Sequence, residues 1–372
     1  MMRIVFFCHS LLSDWNHGNA HFLRGVVSEL QVRGHDVRVY EPADAWSVKH
    51  LLLHAGQAGL DGVREFYPHL QCTRYDPATL DIDEALDGAD LVLVHEWNTR
   101  ELVERIGRHR AHGGGYRLLF HDTHHRSVTE PQAMASYELD PYDGVLAFGE
   151  VVRERYVARG WARRAWTWHE AADVRIFSPQ VREREGDLVW IGNWGDDERS
   201  EELREYVVDP VRALALRARI HGVRYPETAK AELAAAGIHY GGWLPNYRAP
   251  EVFARFRGTL HVPRRPYVRA LPGIPTIRVF EALACGIPLV SCWWDDCERL
   301  FRSGEDYLAV RTGEEMTRTL RTIVHDRALA DAIAASGLET ILARHTCRHR
   351  ADELLAIVAG LNGAPVEEEL TV

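Results

Sequence analysis

Short apolar runs alternate along the chain with amphipathic stretches, a pattern that predicts strand-helix-strand units feeding parallel sheets. In the first half the runs at 3–8, 37–40, 90–95, 116–120, 144–148 and 165–168 read as strands. Helical periodicity covers 20–33, closed by Gly34, and 99–112, closed by the three glycines at 113–115. The stretch 181–187 is charged and has no apolar period, and the pattern then restarts at 188–192 as a new first strand. Further strands are predicted at 218–221, 238–241, 259–262, 288–291 and 307–310, with a last helix over 346–361 and a frayed acidic tail at 367–369. The fold class is therefore α/β, with two doubly wound parallel-sheet domains facing across a cleft. The expected boundaries are 1–178 and 179–345, followed by 346–372 as a helix and tail. No internal repeat or low-complexity tract is present.

One segment, Leu271 to Ser291, combines a tight turn, a short helix and a buried strand. Pro275 pre-sets the turn, Gly286 is placed to end the helix, and Ile277, Phe280, Leu283 and Ala284 form one apolar stripe. That stripe leaves Arg278 and Glu281 together on the opposite face. Two readings of this pair stand side by side: a solvated charged face, or a face turned to a ligand.

At 372 residues the chain exceeds what one core normally supports, in keeping with two domains. It is 46% hydrophobic and 26% charged, with no apolar run approaching the roughly 18 residues of a membrane span. The opening Met-Met-Arg-Ile-Val-Phe-Phe-Cys is too short for a signal-peptide core, so a cytoplasmic location is expected. Six cysteines show no paired metal spacing and read as free thiols. A net charge of −10 argues against nucleic acid as a partner, while Arg264, Arg265 and Arg269 could form a local anion site.

Ligands of open parallel sheets sit at the strands' carboxyl ends. There the polar interruptions cluster: 9–19, 95–98 and 121–125 in the first half, and 193–199, 263–269 and 293–296 in the second. The stretch 16–25 follows a strand and opens a helix, but Gly18 and Gly25 are seven apart and the Gly-x-Gly-x-x-Gly spacing of a dinucleotide site is missing. His121, Asp122, His124 and His125 lie on one loop, which makes metal the minor reading and leaves His121 as a substrate contact or a solvated ring. Neither Gly-x-Ser-x-Gly nor a phosphate loop occurs. A departing nucleoside diphosphate needs positive charge, and Arg199, Arg264 and Arg265 are the cations at the right strand ends. For Arg199, inside Asp-Asp-Glu-Arg-Ser-Glu-Glu, a surface salt bridge is an equal reading.

Four landmarks then occur in order: His169-Glu-Ala-Ala-Asp173 with Phe177 and Pro179; Leu188-Val-Trp-Ile-Gly192; Gly242-Trp-Leu-Pro through Pro250-Glu-Val-Phe and His261-Val-Pro263; and Phe280-Glu-Ala-Leu-Ala-Cys-Gly-Ile-Pro-Leu-Val290. Together they resemble the nucleotide-sugar domain of family 4 glycosyltransferases, and the whole chain resembles the CgeB-like (spore maturation protein-like) branch of those GT-B enzymes. The resemblance implies a GT-B fold with an acceptor-side first domain, a donor-side second domain and a C-terminal helix packing back toward the first. It implies that Glu281 binds the donor's ribose hydroxyls, that Arg199 binds the diphosphate, and that His121 contacts the transferred sugar beside Asp122. The donor would also meet Gly273, Ile274, Thr276, Arg278, Asn193, Arg264 and Arg265. Asp14, Trp15, Asn16, His17, Gly18, Asn19 and His21, with Glu96, would face the acceptor.

Gly273 stands where the family usually has a second glutamate, eight residues before Glu281, so backbone amides or Asp295 and Asp296 would have to hold the sugar. The implied activity is a metal-independent, retaining transfer of a hexosyl-type sugar from a UDP, GDP or dTDP sugar to a glycan, lipid-linked or small-molecule hydroxyl. No permanently bound cofactor is expected, and the protein would be a monomer or homodimer. A nucleotide-sugar epimerase of the same architecture and a catalytically silent, coat-associated sugar-binding protein are the rival readings.

Overall fold

In the computed structural model, residues 1–195 and 197–363 are described; the expected tail at 367–369 lies outside them. The chain divides into two compact units, the first made of Met1–Ser13, Leu23–His169 and the segment from Cys347 on, the second of Asp14–Phe22 and Glu170–Thr346.

The first unit is built on seven parallel strands, β1 (Arg3–Phe7), β2 (Asp36–Pro42), β3 (Thr73–Tyr75), β4 (Leu91–His95), β5 (Arg117–Asp122), β6 (Gly144–Ala147) and β7 (Ala165–Thr167), in the order β3-β2-β1-β4-β5-β6-β7. The central strand Leu-Val-Leu-Val-His is buried at every position, as expected for a sheet covered on both faces. Strand order reverses between β1 and β4, so the crevice at their carboxyl ends is the switch point. Two elements escape the hydrophobic pattern. β3 is an edge strand with only Tyr75 buried, so it carries no apolar run. The helix Trp46–Phe66 is broken at Gly56, whose φ of 62° interrupts the helical period. The C-terminal helix Cys347–Leu361 is tied into this unit by Trp168 Nε1, which donates to the Arg350 carbonyl at 2.8 Å, and by Arg33 paired with Asp352 at 2.6 Å.

The second unit repeats the plan with β8 (Leu188–Ile191), β9 (Ala218–His221), β10 (His239–Tyr240), β11 (Gly258–His261), β12 (Leu289–Cys292) and β13 (Leu308–Val310), ordered β10-β9-β8-β11-β12-β13. Its switch point lies between β8 and β11. The short helix Ile277–Ala284 follows the predicted turn and ends at Gly286, whose φ of 61° and N–H bond to the Leu283 carbonyl complete the stop. Of the two readings of Arg278 and Glu281, the solvated face is not found: Glu281 is fully buried, and every other residue of the helix is buried except the half-buried Arg278. An apolar stripe cannot reveal this, because the loops covering the helix's second face come from distant parts of the chain.

Candidate functional site

In the second unit, the segment Asp14–Phe22 is held against the ends of β8, β9 and the helix Ile277–Ala284. Asp14 accepts from Trp243 Nε1 at 3.3 Å and from the Asn246 N–H at 3.2 Å. Asn16 bonds Asn193, and Asn19 Nδ2 donates to Glu170 at 3.1 Å. His21 Nε2 accepts from the Asp173 N–H at 2.8 Å, which puts the ring proton on Nδ1, 3.1 Å from Glu281 Oε1. Asp14, Asn16, His17 and Gly18 line a small cavity of about 60 Å³ together with Gly192, Asn193, His221, Trp243, Leu244, Asn246 and Arg278. Trp15 is buried beside them in sequence but does not line it.

Glu281 does not line the cavity; it is buried behind two residues that do, Asn246 and Arg278, and bonds both. Oε1 accepts from Asn246 Nδ2 at 2.7 Å and faces His21, while Oε2 pairs with Arg278. Burial alone would raise its pKa; Arg278, then His21 and Asn246, outweigh that and hold it below the ordinary carboxylate value. Nearby, burial pushes the Glu170 carboxyl up to about 8, with Asn19 opposing and Glu281 adding to the rise.

Arg199 occupies the switch point itself. One Nη donates to the Val262 carbonyl beyond β11 at 2.8 Å, the other to the Asn193 carbonyl beyond β8, and the guanidinium lies 5.1 Å from the Trp190 ring centroid. It pairs with no carboxylate among the described residues, and its Nε has no hydrogen-bond partner there. Burial, and then the charge of Arg264, lower its pKa to about 10, with Arg278 contributing further. The surface salt-bridge reading of Arg199 thus gives way. Its acidic neighbours serve other arginines: Glu198 pairs with Arg264 at 3.0 Å and Glu202 with Arg265 at 2.6 Å. Arg264 and Arg265 are compensated cations, and Arg199 is not. His261, whose Nε2 bonds Thr276 Oγ1 at 3.0 Å, is driven down to about 3 by burial and by Arg199 and Arg278.

Gly273 has φ 85°, and a Cβ there would run into the Glu298 side chain. Glu298 escaped the reading of the sequence, because only the folded turn brings it over Gly273. Ile274 is buried beside it. Asp296, expected as a sugar ligand, accepts from the N–H groups of Leu300 at 2.9 Å and Phe301 at 2.8 Å and so holds its own turn.

In the first unit, β5 ends on His121 and Asp122, both buried. Desolvation lowers the His121 pKa to about 3, so the ring is neutral. Asp122 accepts from Tyr156 Oη at 2.8 Å and the His124 N–H at 3.1 Å; Glu96 accepts from the Thr123 N–H at 3.0 Å and lies 3.9 Å from Arg126. Both carboxyls are raised, chiefly by burial, Glu96 further by Asp122. Among the described residues no three His, Cys, Asp or Glu side chains are grouped as a metal site would need, and none of the six cysteines forms a disulfide. None of the helices among those residues is long and apolar enough to cross a membrane.

Residues 199–356 match the profile of the glycosyl transferase-like family. No curated protein matches the chain by sequence. Among solved structures the chain resembles sucrose-phosphate synthase from Thermosynechococcus elongatus, at 14% identity and a TM-score of 0.69 over 98% of this chain and 100% of that one. It also resembles Anabaena HepE in complex with UDP and glucose, at 13% identity and TM-score 0.68 over 96% and 100%. A third is the T4 phage β-glucosyltransferase, at 12% identity and TM-score 0.60 over 96% and 99%. The chain has the GT-B fold, with Rossmann-type strand order in both of its units.

Proposed function

We propose that this protein is a glycosyltransferase that takes a sugar from a nucleoside-diphosphate donor to an acceptor hydroxyl. The observation that carries the reading is Arg199: a half-buried guanidinium, without a carboxylate among the described residues, at the switch point of a parallel sheet. Such a charge is costly unless an anion arrives to meet it. Arg278, paired with Glu281, stands on the wall of the adjoining cavity. A diphosphate fits that demand, and the resemblance of residues 199–356 to glycosyl transferase-like proteins, with UDP in the HepE structure, supports it.

In this reading the acceptor oxygen forms a bond to the sugar's anomeric carbon as the carbon–oxygen bond to the diphosphate breaks, and Arg199 and Arg278 stabilise the charge that develops. Asp122 and Glu96 are both buried and tied to Tyr156 and to the Thr123 and His124 amides, so neither offers an open base. That favours a retaining transfer in which the departing phosphate takes the acceptor's proton. Glu281 would read the ribose diol. A nucleotide needs a site of roughly 300 Å³ or more, against a cavity of about 60 Å³, so the cavity must widen to admit one.

Thermal-shift measurements with UDP, GDP, dTDP, CDP and their sugars test the reading, because a ligand of the native state raises its melting temperature. One nucleotide should shift the protein, and its sugar should release nucleoside diphosphate with an acceptor present. No shift from any of them would overturn the proposal; sugar isomers without release would make the protein an epimerase.

A further inference from the structure

Four aromatic side chains stand in a row at the carboxyl ends of the first unit's central strands. His9 follows β1, Trp46 follows β2, Trp97 follows β4 and His124 follows β5. The His9 ring centroid is 4.9 Å from Trp46, with planes 32° apart, and 6.4 Å from Trp97; Trp97 is 5.0 Å from His124. This is the β1/β4 switch point, where a parallel sheet binds its ligand. Trp46, Trp97 and His124 are half-buried, while His9, in contact with both tryptophans, is buried. Two tryptophans at a ligand-binding edge present broad, flat, apolar area with little conformational freedom to lose.

We propose that Trp46, Trp97 and His124, backed by the buried His9, form a stacking platform for pyranose rings, and that the acceptor is a neutral saccharide. The C–H faces of a sugar ring match indole faces, which carry the negative side of the ring quadrupole. Single-stranded nucleic acid also stacks on aromatic rows, but its sites track the phosphates with positive charge. Here His9 is held uncharged at neutral pH by burial, which lowers it to about 4, and Arg126, 5.0 Å from the Trp97 centroid, is paired with Glu130 at 3.2 Å. The chain's net charge of −10 also opposes a polyanion. Naming this saccharide the acceptor rests on the transferase reading; the platform itself does not.

The test is an array of neutral oligosaccharides probed with the full chain in the absence of nucleotide, with a single-stranded oligonucleotide and 2-naphthol as controls, followed by titration monitored by tryptophan fluorescence. At least one neutral saccharide should bind. Trp46→Ala and Trp97→Ala should each weaken it at least about 10-fold, while Trp46→Tyr and Trp97→Tyr, which keep a ring, should retain most of the affinity. Nucleotide thermal shifts of all four variants should match the parent, which also checks that they are folded. No bound saccharide, equal binding by the alanine variants, or binding of the oligonucleotide or naphthol alone would overturn the platform. Array failure with an intact nucleotide shift sinks only this proposal, and array binding without any nucleotide shift sinks only the transferase reading.

Discussion

His21 Nδ1 lies 3.1 Å from Glu281 Oε1, with both side chains buried, although 260 residues separate them in sequence. The His21 ring stands beside two donors, Asn246 and Arg278, that bond a carboxylate with no access to water. Glu281→Ala should therefore leave two buried donors without their acceptor. We expect a loss of about 2–3 kcal/mol in urea unfolding without ligand, together with loss of the nucleotide thermal shift. A variant that keeps the shift would remove Glu281 from the nucleotide site.

Arg199 should behave in the opposite way. Its charge is uncompensated among the described residues, so Arg199→Met gives up two hydrogen bonds to carbonyls but also relieves a half-buried cation. The unliganded protein should change by no more than about 1 kcal/mol. Affinity for the nucleoside diphosphate should fall roughly 100-fold, the scale of a lost charge-assisted bond pair, with binding of the nucleoside unchanged. Calorimetry with both ligands measures this, and an equal loss for nucleoside and diphosphate would contradict a phosphate role.

Glu170 links stability to pH. Its carboxyl is raised to about 8 by burial, so the folded state binds its proton more tightly than the unfolded state. The stabilisation is whole below the ordinary value of 4.5 and is lost as pH rises toward 8, at up to roughly 1.4 kcal/mol per pH unit. Glu170→Gln should flatten that decline. Urea midpoints collected across this range decide the matter: parallel profiles for parent and variant would mean that Glu170 titrates normally.

At Gly273 a side chain is doubly disfavoured, by φ 85° and by the Glu298 side chain. Gly273→Ala should cost about 1–2 kcal/mol. Adding Glu298→Ala should restore the part due to collision and leave the part due to backbone strain. If the pair of changes is simply additive in thermal unfolding, Glu298 does not fill that space.

The periodicity of the chain was sufficient to draw twelve of the thirteen strands among the described residues, the edge strands β7, β10 and β13 included, because each falls in a short run with apolar character; β3, an edge with one buried residue, left no such mark. Gly286 was readable as a helix stop because the positive φ it supplies is a local demand. The resemblance of the Phe280–Val290 stretch singled out Glu281, but its burial was not legible, since His21 and Asn246 reach it from segments far away in sequence. The same holds for Arg199. Its acidic neighbours in sequence suggested a surface pair, and only the fold decided that Glu198 and Glu202 turn to Arg264 and Arg265 while Arg199 turns inward across β8 and β11. Local pattern determines which elements form, because backbone hydrogen bonding and side-chain periodicity act over a few residues. Which charges meet is settled by packing between distant elements, and that is where this protein's site chemistry lies.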